Sequence, residues 1–161
     1  MASKAGQSRS GHPDVVHPGA VHEAAAVRLT ALEHRYTRGR HALVDLMLRS
    51  EAPLTIAEIL DRDSTLALST TYRNLGVMEA AGLVHRIATS DEHARYELDE
   101  TLTERHHHHL VCSGCGTVRD FTISKELEVE LEAALGRVAR TNEFEAQRHR
   151  LDLVGLCPAC C

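Results

Sequence analysis

Tryptophan is absent from this chain, and its aromatic residues amount to three Tyr and two Phe. A core built from it must be packed with aliphatic side chains rather than rings. No apolar run approaches the roughly 20 residues of a membrane span, so no transmembrane helix is expected. Met1 to Gly11 is small and polar with no apolar stretch, which argues against a secretory leader. A cytoplasmic protein is expected. Nor is there a surplus of positive charge: 18 basic residues face 23 acidic ones, a net −5.

The charge is unevenly spread. Residues 1–86 carry ten basic and nine acidic side chains, whereas 87–161 carry eight and fourteen. A near-neutral front half can still bind nucleic acid if its arginines share one face. The acidic back half would repel DNA and attract cations. Two functional halves follow, within a length of 161 residues that allows one domain or two small ones.

The chain is rich in histidine, with twelve, and all five cysteines fall between positions 112 and 161. His106-His107-His108-His109 runs into Leu110-Val111-Cys112-Ser113-Gly114-Cys115-Gly116. A second pair, Cys157-Pro158-Ala159-Cys160, closes the chain. In a reducing compartment such pairs indicate metal rather than disulfides. A Cys-x-x-Cys turn aims two thiolates at one point, and two such turns make a closed tetrahedral zinc site, structural rather than catalytic. Cys112, Cys115, Cys157 and Cys160 are its expected ligands; Cys161 is left over. In an extended segment side chains alternate. His107 and His109 should therefore point one way and His106 and His108 the other, so that one run can serve two sites.

Residues 1–20 lack periodicity and read as a flexible tail. Val21, Ala24, Ala25, Val27, Leu29 and Leu32 predict a helix with one apolar stripe over Val21 to His34. Thr37 is placed to cap a second helix, and Thr55 with Glu58 forms a capping box for a third. A loop is expected from Asp61 to Leu68, then a helix from a Ser69 cap to Ala81, ended by Gly82. Leu83 to Ile87 and Ala94 to Leu98 alternate like strands around a turn at Thr89 to His93, a hairpin. Helices followed by a hairpin outline a winged helix-turn-helix, with the helix before the wing in the major groove. On that helix Leu68, Tyr72, Leu75 and Met78 are expected inside and Thr70, Arg73, Asn74 and Val77 outside. The helix pattern alone also fits a plain amphipathic helix.

Past an acidic connector, Asp99 to Arg105, strands are expected at Leu110-Val111 and Thr117 to Phe121. A helix from a Ser124 cap to about Arg140 should bury Leu127, Leu131, Ala134, Leu135 and Val138. Phe144 to Ala146 and His149 to Leu156 read as further strands. Such short strands call for a partner chain to complete the sheet.

The order of a winged helix, then His-His-x-His-Leu-x-Cys-x-x-Cys-Gly, then a C-terminal Cys-x-x-Cys, resembles the ferric uptake regulator family of metal-responsive repressors. The likeness covers about residues 25 to 160. Ser69 to Leu75 with Ala81 to Val84 is similar to the family's recognition helix and its exit into the wing, and Thr37 to Arg40 to a Thr-x-x-Arg element. The resemblance implies an α+β fold: a tail over 1–20, a winged-helix DNA-binding domain over 21–99, a hinge over 100–105 and a small α/β dimerisation domain over 106–161 holding the four-cysteine zinc. It implies a homodimer on a palindromic double-stranded DNA operator, with no membrane and no organic cofactor.

By the same resemblance, His107, His109 and Glu97 bind the sensed metal at the hinge, with His85 as a further ligand. His106, His108, Glu128 and His149 match a site inside the dimerisation domain, Glu126 competing with Glu128. Asp120 matches a carboxylate of some iron and manganese sensors. A histidine common before the third helix is missing, since Glu51-Ala52-Pro53-Leu54 stands there. The cysteine many zinc sensors place near Asp99 is missing too. Zinc is favoured as the sensed ion because the ligands are nitrogen-rich; iron and manganese are alternatives. Arg38, Arg40 and Arg73, with Arg86 in addition, are candidate phosphate contacts. Thr70, Tyr72, Arg73 and Asn74 are candidates near base edges. The rival readings are a metal-dependent hydrolase, with Glu97 or Glu104 as base, and a metal-buffering protein.

Overall fold

The computed structural model describes residues 16–89 and 93–161. Most of the expected tail, and the wing turn at residues 90–92, lie outside the described residues. The first helix, α1 (Pro18–Ala31), starts before the apolar pattern does, because Pro18 suits a first helical turn. Val21, Ala25 and Leu29 are its buried stripe. Val27 and Leu32, expected on that stripe, are exposed: Val27 falls outside the 21-25-29 spacing, and Leu32 is the C-cap beyond the helix end.

Thr37 caps α2 (Arg38–Leu48), its hydroxyl accepting the Arg40 amide. Leu54–Thr55 forms a short strand, β1, unforeseen because two residues carry no alternation. Thr55 then caps α3 (Ile56–Arg62), and the Glu58 carboxylate returns to the Thr55 amide at 2.7 Å, completing the capping box. Caps of this kind contribute about 1 kcal/mol. The fourth helix, α4 (Leu68–Ala80), is preceded by Ala67 and has no side-chain cap, so Ser69 is inside the helix rather than ahead of it. Gly82, at φ +63°, ends it in a conformation that glycine adopts without strain.

The inward face of α4 also differs from expectation. Thr71, Asn74, Leu75 and Met78 are buried, while Leu68 and Tyr72 are 55% and 58% exposed. The stripe is i, i+3, i+4, i+7 starting at Thr71. Asn74 fits inside because Gly39 faces it: a Cβ at Gly39 would stand 3.2 Å from the Asn74 amide nitrogen. Strands β2 (Val84–Ile87) and β3 (Arg95–Leu98) form the wing, and β1 adds to β3, giving an antiparallel sheet in the order β1-β3-β2. The helices and this sheet enclose the main core, with Leu29, Leu43, Ile59, Met78 and Leu83 at its centre.

The acidic connector contains a helical turn, α5 (Glu100–Thr103), capped by Asp99. Leu102 seats it in the main core, and Arg28 bonds both Thr101 and the Gly82 carbonyl. A second sheet follows, in the order β5-β4-β6: β4 (His108–Cys112) and β5 (Val118–Phe121) are antiparallel, and β6 (Asp152–Gly155) runs parallel to β4. Between them Ser124 caps α6 (Lys125–Thr141). Its apolar stripe is not interior. No residue of α6 is buried, and Leu127, Leu135 and Val138 are exposed, because nothing among the described residues covers that face. Phe144 to Ala146 is not a strand; Phe144 is exposed and finds no sheet edge. No described helix is long and apolar enough to cross a membrane.

Candidate metal centres and nucleic-acid face

Strand β4 organises the chemistry. Its pleat, continued by the two residues before it, separates the four imidazoles as the alternation requires. His107 and His109 meet Glu97 and Asp120, while His106 and His108 meet Glu128 and His149. Cys112, at the strand's end, meets Cys115, Cys157 and Cys160. In each group the donor atoms lie within 4.8 Å of one another.

The first group joins the two sheets. Glu97 comes from β3 of the wing, His109 from β4 and Asp120 from β5, where the register sets Asp120 opposite His109. His107 Nε2 lies 3.1 Å from Glu97 Oε2, and His109 Nε2 lies 3.2 Å from Glu97 Oε1. Asp120 stands at 3.9 and 4.0 Å from the same two nitrogens. The outer nitrogens are engaged elsewhere. His107 Nδ1 faces the Arg105 carbonyl at 3.1 Å, and His109 Nδ1 faces Asp152 at 3.2 Å. With both Nδ1 atoms as donors, both Nε2 atoms are turned on two carboxylates, an arrangement that requires a shared cation, proton or metal.

The electrostatics agree. The hydrogen bond that His107 donates to Glu97 raises the His107 pKa to about 9, against the opposing effect of burial. Burial works against ionisation of Glu97, but the bonds from His107 and His109 outweigh it and hold its carboxyl at about 2. Burial raises Asp120. His85 pairs with Glu97 across the wing but lies beside the cluster and not within it. Its Nε2 is buried with no hydrogen-bond partner among the described residues. Burial first, then the charges of Arg150 and Arg148, lower its pKa.

The second group lies within the β4 half. Glu128, on α6, collects three imidazoles: His108 Nε2 at 3.0 Å, His106 Nε2 at 3.1 Å and His149 Nε2 at 3.0 Å. Glu126 is not among them. The His149 contact lacks hydrogen-bond geometry despite its length, so His149 Nε2 and Glu128 Oε1 are both orphaned as hydrogen-bonding atoms. Donors that converge without N–H···O alignment fit a metal's ligand set. Glu100 of α5 holds His106 Nδ1 at 2.7 Å.

In the third group Cys115 and Cys157 sulfurs are 3.7 Å apart. The Cys157 amide donates to Cys112 Sγ at 3.3 Å, and this bond leads the effects that bring the Cys112 thiol down to about 6. Hydrogen bonds with Cys157, Cys115 and Cys112 push Cys160 up to about 12. A mixed thiolate and thiol set is what four sulfurs show before a dication lets all four ionise. Gly114 permits the approach: a Cβ there would meet Cys160 Cβ at 3.0 Å and its sulfur at 3.1 Å. Cys161 turns away, its sulfur bonding the Leu156 carbonyl. The Gly116 carbonyl accepts Arg95 Nε at 2.6 Å, tying the cysteine turn to the wing.

On the opposite end, α4 exposes Tyr72 and Arg73 and half-exposes Thr70. Arg38 is exposed at the start of α2. Two expected contacts are buried instead. Asn74 is 7% exposed against Gly39, and Arg40 is 8% exposed with its guanidinium bonded to the Arg35 carbonyl at 2.6 Å. Burial, then the charge of Arg73, lowers the Arg40 pKa. Sequence reasoning missed a further cluster, His22 with His41 and Asp45. Only the i, i+4 spacing of His41 and Asp45 could have signalled it.

Helices closing on a two-stranded wing, followed by a sheet of imidazole and thiol ligands that shares a carboxylate with that wing, define a class: winged-helix regulators whose DNA-binding half is coupled to metal. The model of the ferric uptake regulator family matches residues 31–154. A ferric uptake regulation protein of Synechococcus elongatus is 37% identical over 106 residues, 63% of this chain and 65% of that relative's length. The peroxide operon regulator of Bacillus subtilis is 29% identical over 130 residues, 78% of this chain and 83% of its own. The solved Helicobacter pylori ferric uptake regulator shares the fold at a TM-score of 0.69 and 21% identity, covering 92% of this chain and 97% of that one. The chain belongs to the ferric uptake regulator family of metal-responsive transcription regulators, and it is not an enzyme.

Proposed function

We propose that this protein is a cytoplasmic repressor that binds a palindromic operator as a homodimer when its sensory site is loaded, and so controls metal-homeostasis genes. The observation that carries this reading is the Glu97 carboxylate of the wing held between His107 and His109 of the second sheet. Glu97, His107, His109 and Asp120 would hold the sensed ion. When bound, it supplies the positive charge that these four donors share. Glu97 is then a strap: it fixes the wing, and with it α4, against the β4 sheet, and the two helices of a dimer take a defined spacing. DNA and metal each raise affinity for the other. Tyr72, Arg73 and Thr70 on α4, with Arg38, would face the duplex. Asn74 acts from beneath by packing α4 against Gly39 of α2, and Arg40 ties α2 to the Arg35 carbonyl.

Zinc in the four-cysteine site builds the second unit, and His106, His108, Glu128 and His149 would hold a further divalent ion there. The uncovered apolar face of α6, with exposed Leu153 and Val154 of β6, supports a second copy as its cover. The expectation of zinc at the sensory site rested on a nitrogen-rich ligand set. The group around Glu97 has two nitrogens and two carboxylates, which suits ferrous iron or manganese better. Zinc is the second reading, favoured by the unpartnered His85 nitrogen, which would give a set of three imidazoles and one carboxylate. Operator binding measured on the protein's own upstream DNA with manganese, ferrous iron, zinc and nickel tests both. One metal should bring on a footprint over a palindrome. Absence of tight palindrome binding at low salt with every metal would overturn the repressor reading. His85→Ala should matter only if zinc is the ion sensed.

A further inference from the structure

Outside the three groups gathered around β4, three donors from α1 and α2 face one another. His22 Nε2 lies 3.2 Å from Asp45 Oδ1, and His41 Nδ1 lies 3.1 Å from Asp45 Oδ2. The two rings stack with centroids 3.8 Å apart and planes 7° from parallel. The second nitrogen of His22 is bound to the Tyr36 hydroxyl. Burial, then the Asp45 charge, raises the Tyr36 pKa to about 12, so this oxygen stays protonated and orients the ring rather than binding a cation itself. His22 Nε2 faces the Asp45 carboxylate within hydrogen-bond distance. His22 is 16% exposed and largely withheld from water; His41 is 50% exposed and opens the group to solvent.

We propose that His22, His41 and Asp45 form a separate binding site for a divalent transition-metal ion of the zinc class, at the junction of α1 and α2. Two imidazoles and a carboxylate supply three ligands, and the exposed side leaves a position for water. A polar partner that fixes the outer nitrogen of a ligand imidazole supports such a site, and the Tyr36 hydroxyl holds that place for His22. Ligation requires the stacked rings to splay, a rotation the solvent-exposed His41 ring can make. The site pins α1 to the start of α2, whose first turn carries Arg38. It shares no residue with the other three groups, and its test is independent of the sensory reading.

The full chain and its His41→Gln and Asp45→Asn variants are dialysed to equilibrium against buffered zinc, and bound zinc is counted per chain. Each variant should retain one zinc fewer than the parent at saturation. In the parent, labelled ring nitrogens of His22 and His41 should shift together as the last equivalent enters. Equal zinc content in the folded variants would show a hydrogen-bonded relay without metal affinity and overturn the proposal. So would His22 and His41 signals that stay still through saturation, a measurement that decides the matter even if Asp45→Asn fails to fold.

Discussion

Replacing Glu97 by Gln should change how the sensory site responds to pH. In the parent, His107 holds a proton up to about pH 9 because Glu97 accepts it. A metal ion must displace that proton. At pH 7 the displacement costs two pH units, about 3 kcal/mol, so apparent affinity sits roughly 100-fold below its alkaline limit. Each unit of rising pH recovers about tenfold, more where His109, also raised once the Glu97 bond outweighs burial, gives up a second proton. The sign for the metal-free fold is the reverse. The raised His107 stabilises below its ordinary 6.5, and this is lost as pH climbs through about 9; the lowered Glu97 stabilises above its ordinary 4.5, and this is lost as pH falls through about 2. Metal-free protein should therefore weaken from pH 6.5 to 9, while its metal affinity grows. The assay is manganese titration of protein whose cysteine site already holds zinc, at four pH values between 6.5 and 8, with released protons read by an indicator. Glu97→Gln should bring His107 back toward 6.5, flattening the pH slope above pH 7, although overall affinity falls with the lost ligand. Parent affinity that is flat with pH, with no proton release, would refute the reasoning.

Other perturbations separate the sites. His107→Ala should abolish the metal response of operator binding while circular dichroism stays unchanged, whereas Cys112→Ser should unfold the second unit; equal loss of structure in both would merge sites that are held here to be distinct. Gly114→Ala should push Cys160 outward and speed zinc loss to a chelator, read as a shorter half-life than the parent's. Arg73→Ala should weaken DNA binding of any sequence and lower the salt slope by about 0.9, the effect of one phosphate contact, measured by anisotropy across a salt series.

The grouping of the histidines and of the cysteines was legible in the sequence because their order is local. Pleat alternation assigns four neighbouring imidazoles to two faces, and x-x spacing aims each cysteine pair. The helix caps at Thr37, Thr55 and Ser124 were legible for the same reason. What was not legible depends on residues distant in the chain. Asn74 reads as an outward polar residue until Gly39 is seen to make room for it. Arg40 reads as a free cation until the Arg35 carbonyl takes it up. The α6 stripe reads as interior because its period is right, yet nothing among the described residues covers it. Glu128 was separated from Glu126 by geometry alone, since both lie in the first turn of α6.

Strand β4 presents one more consequence. Four identical side chains in succession poorly distinguish a correct pairing from one displaced by a step, since three of the four imidazoles would be replaced by another. Yet such a slip would exchange the contents of the two histidine groups and turn Val111 out of its small cluster with Ile87 and Val118. The information that indexes the strand lies at its far end. Cys112, locked by three partner sulfurs, admits no neighbour in its place, so the thiol cluster acts as a ruler's zero mark for the histidines that precede it. A protein that lost its cysteine-bound ion would then risk more than loosening: it could refold with its sensor out of step.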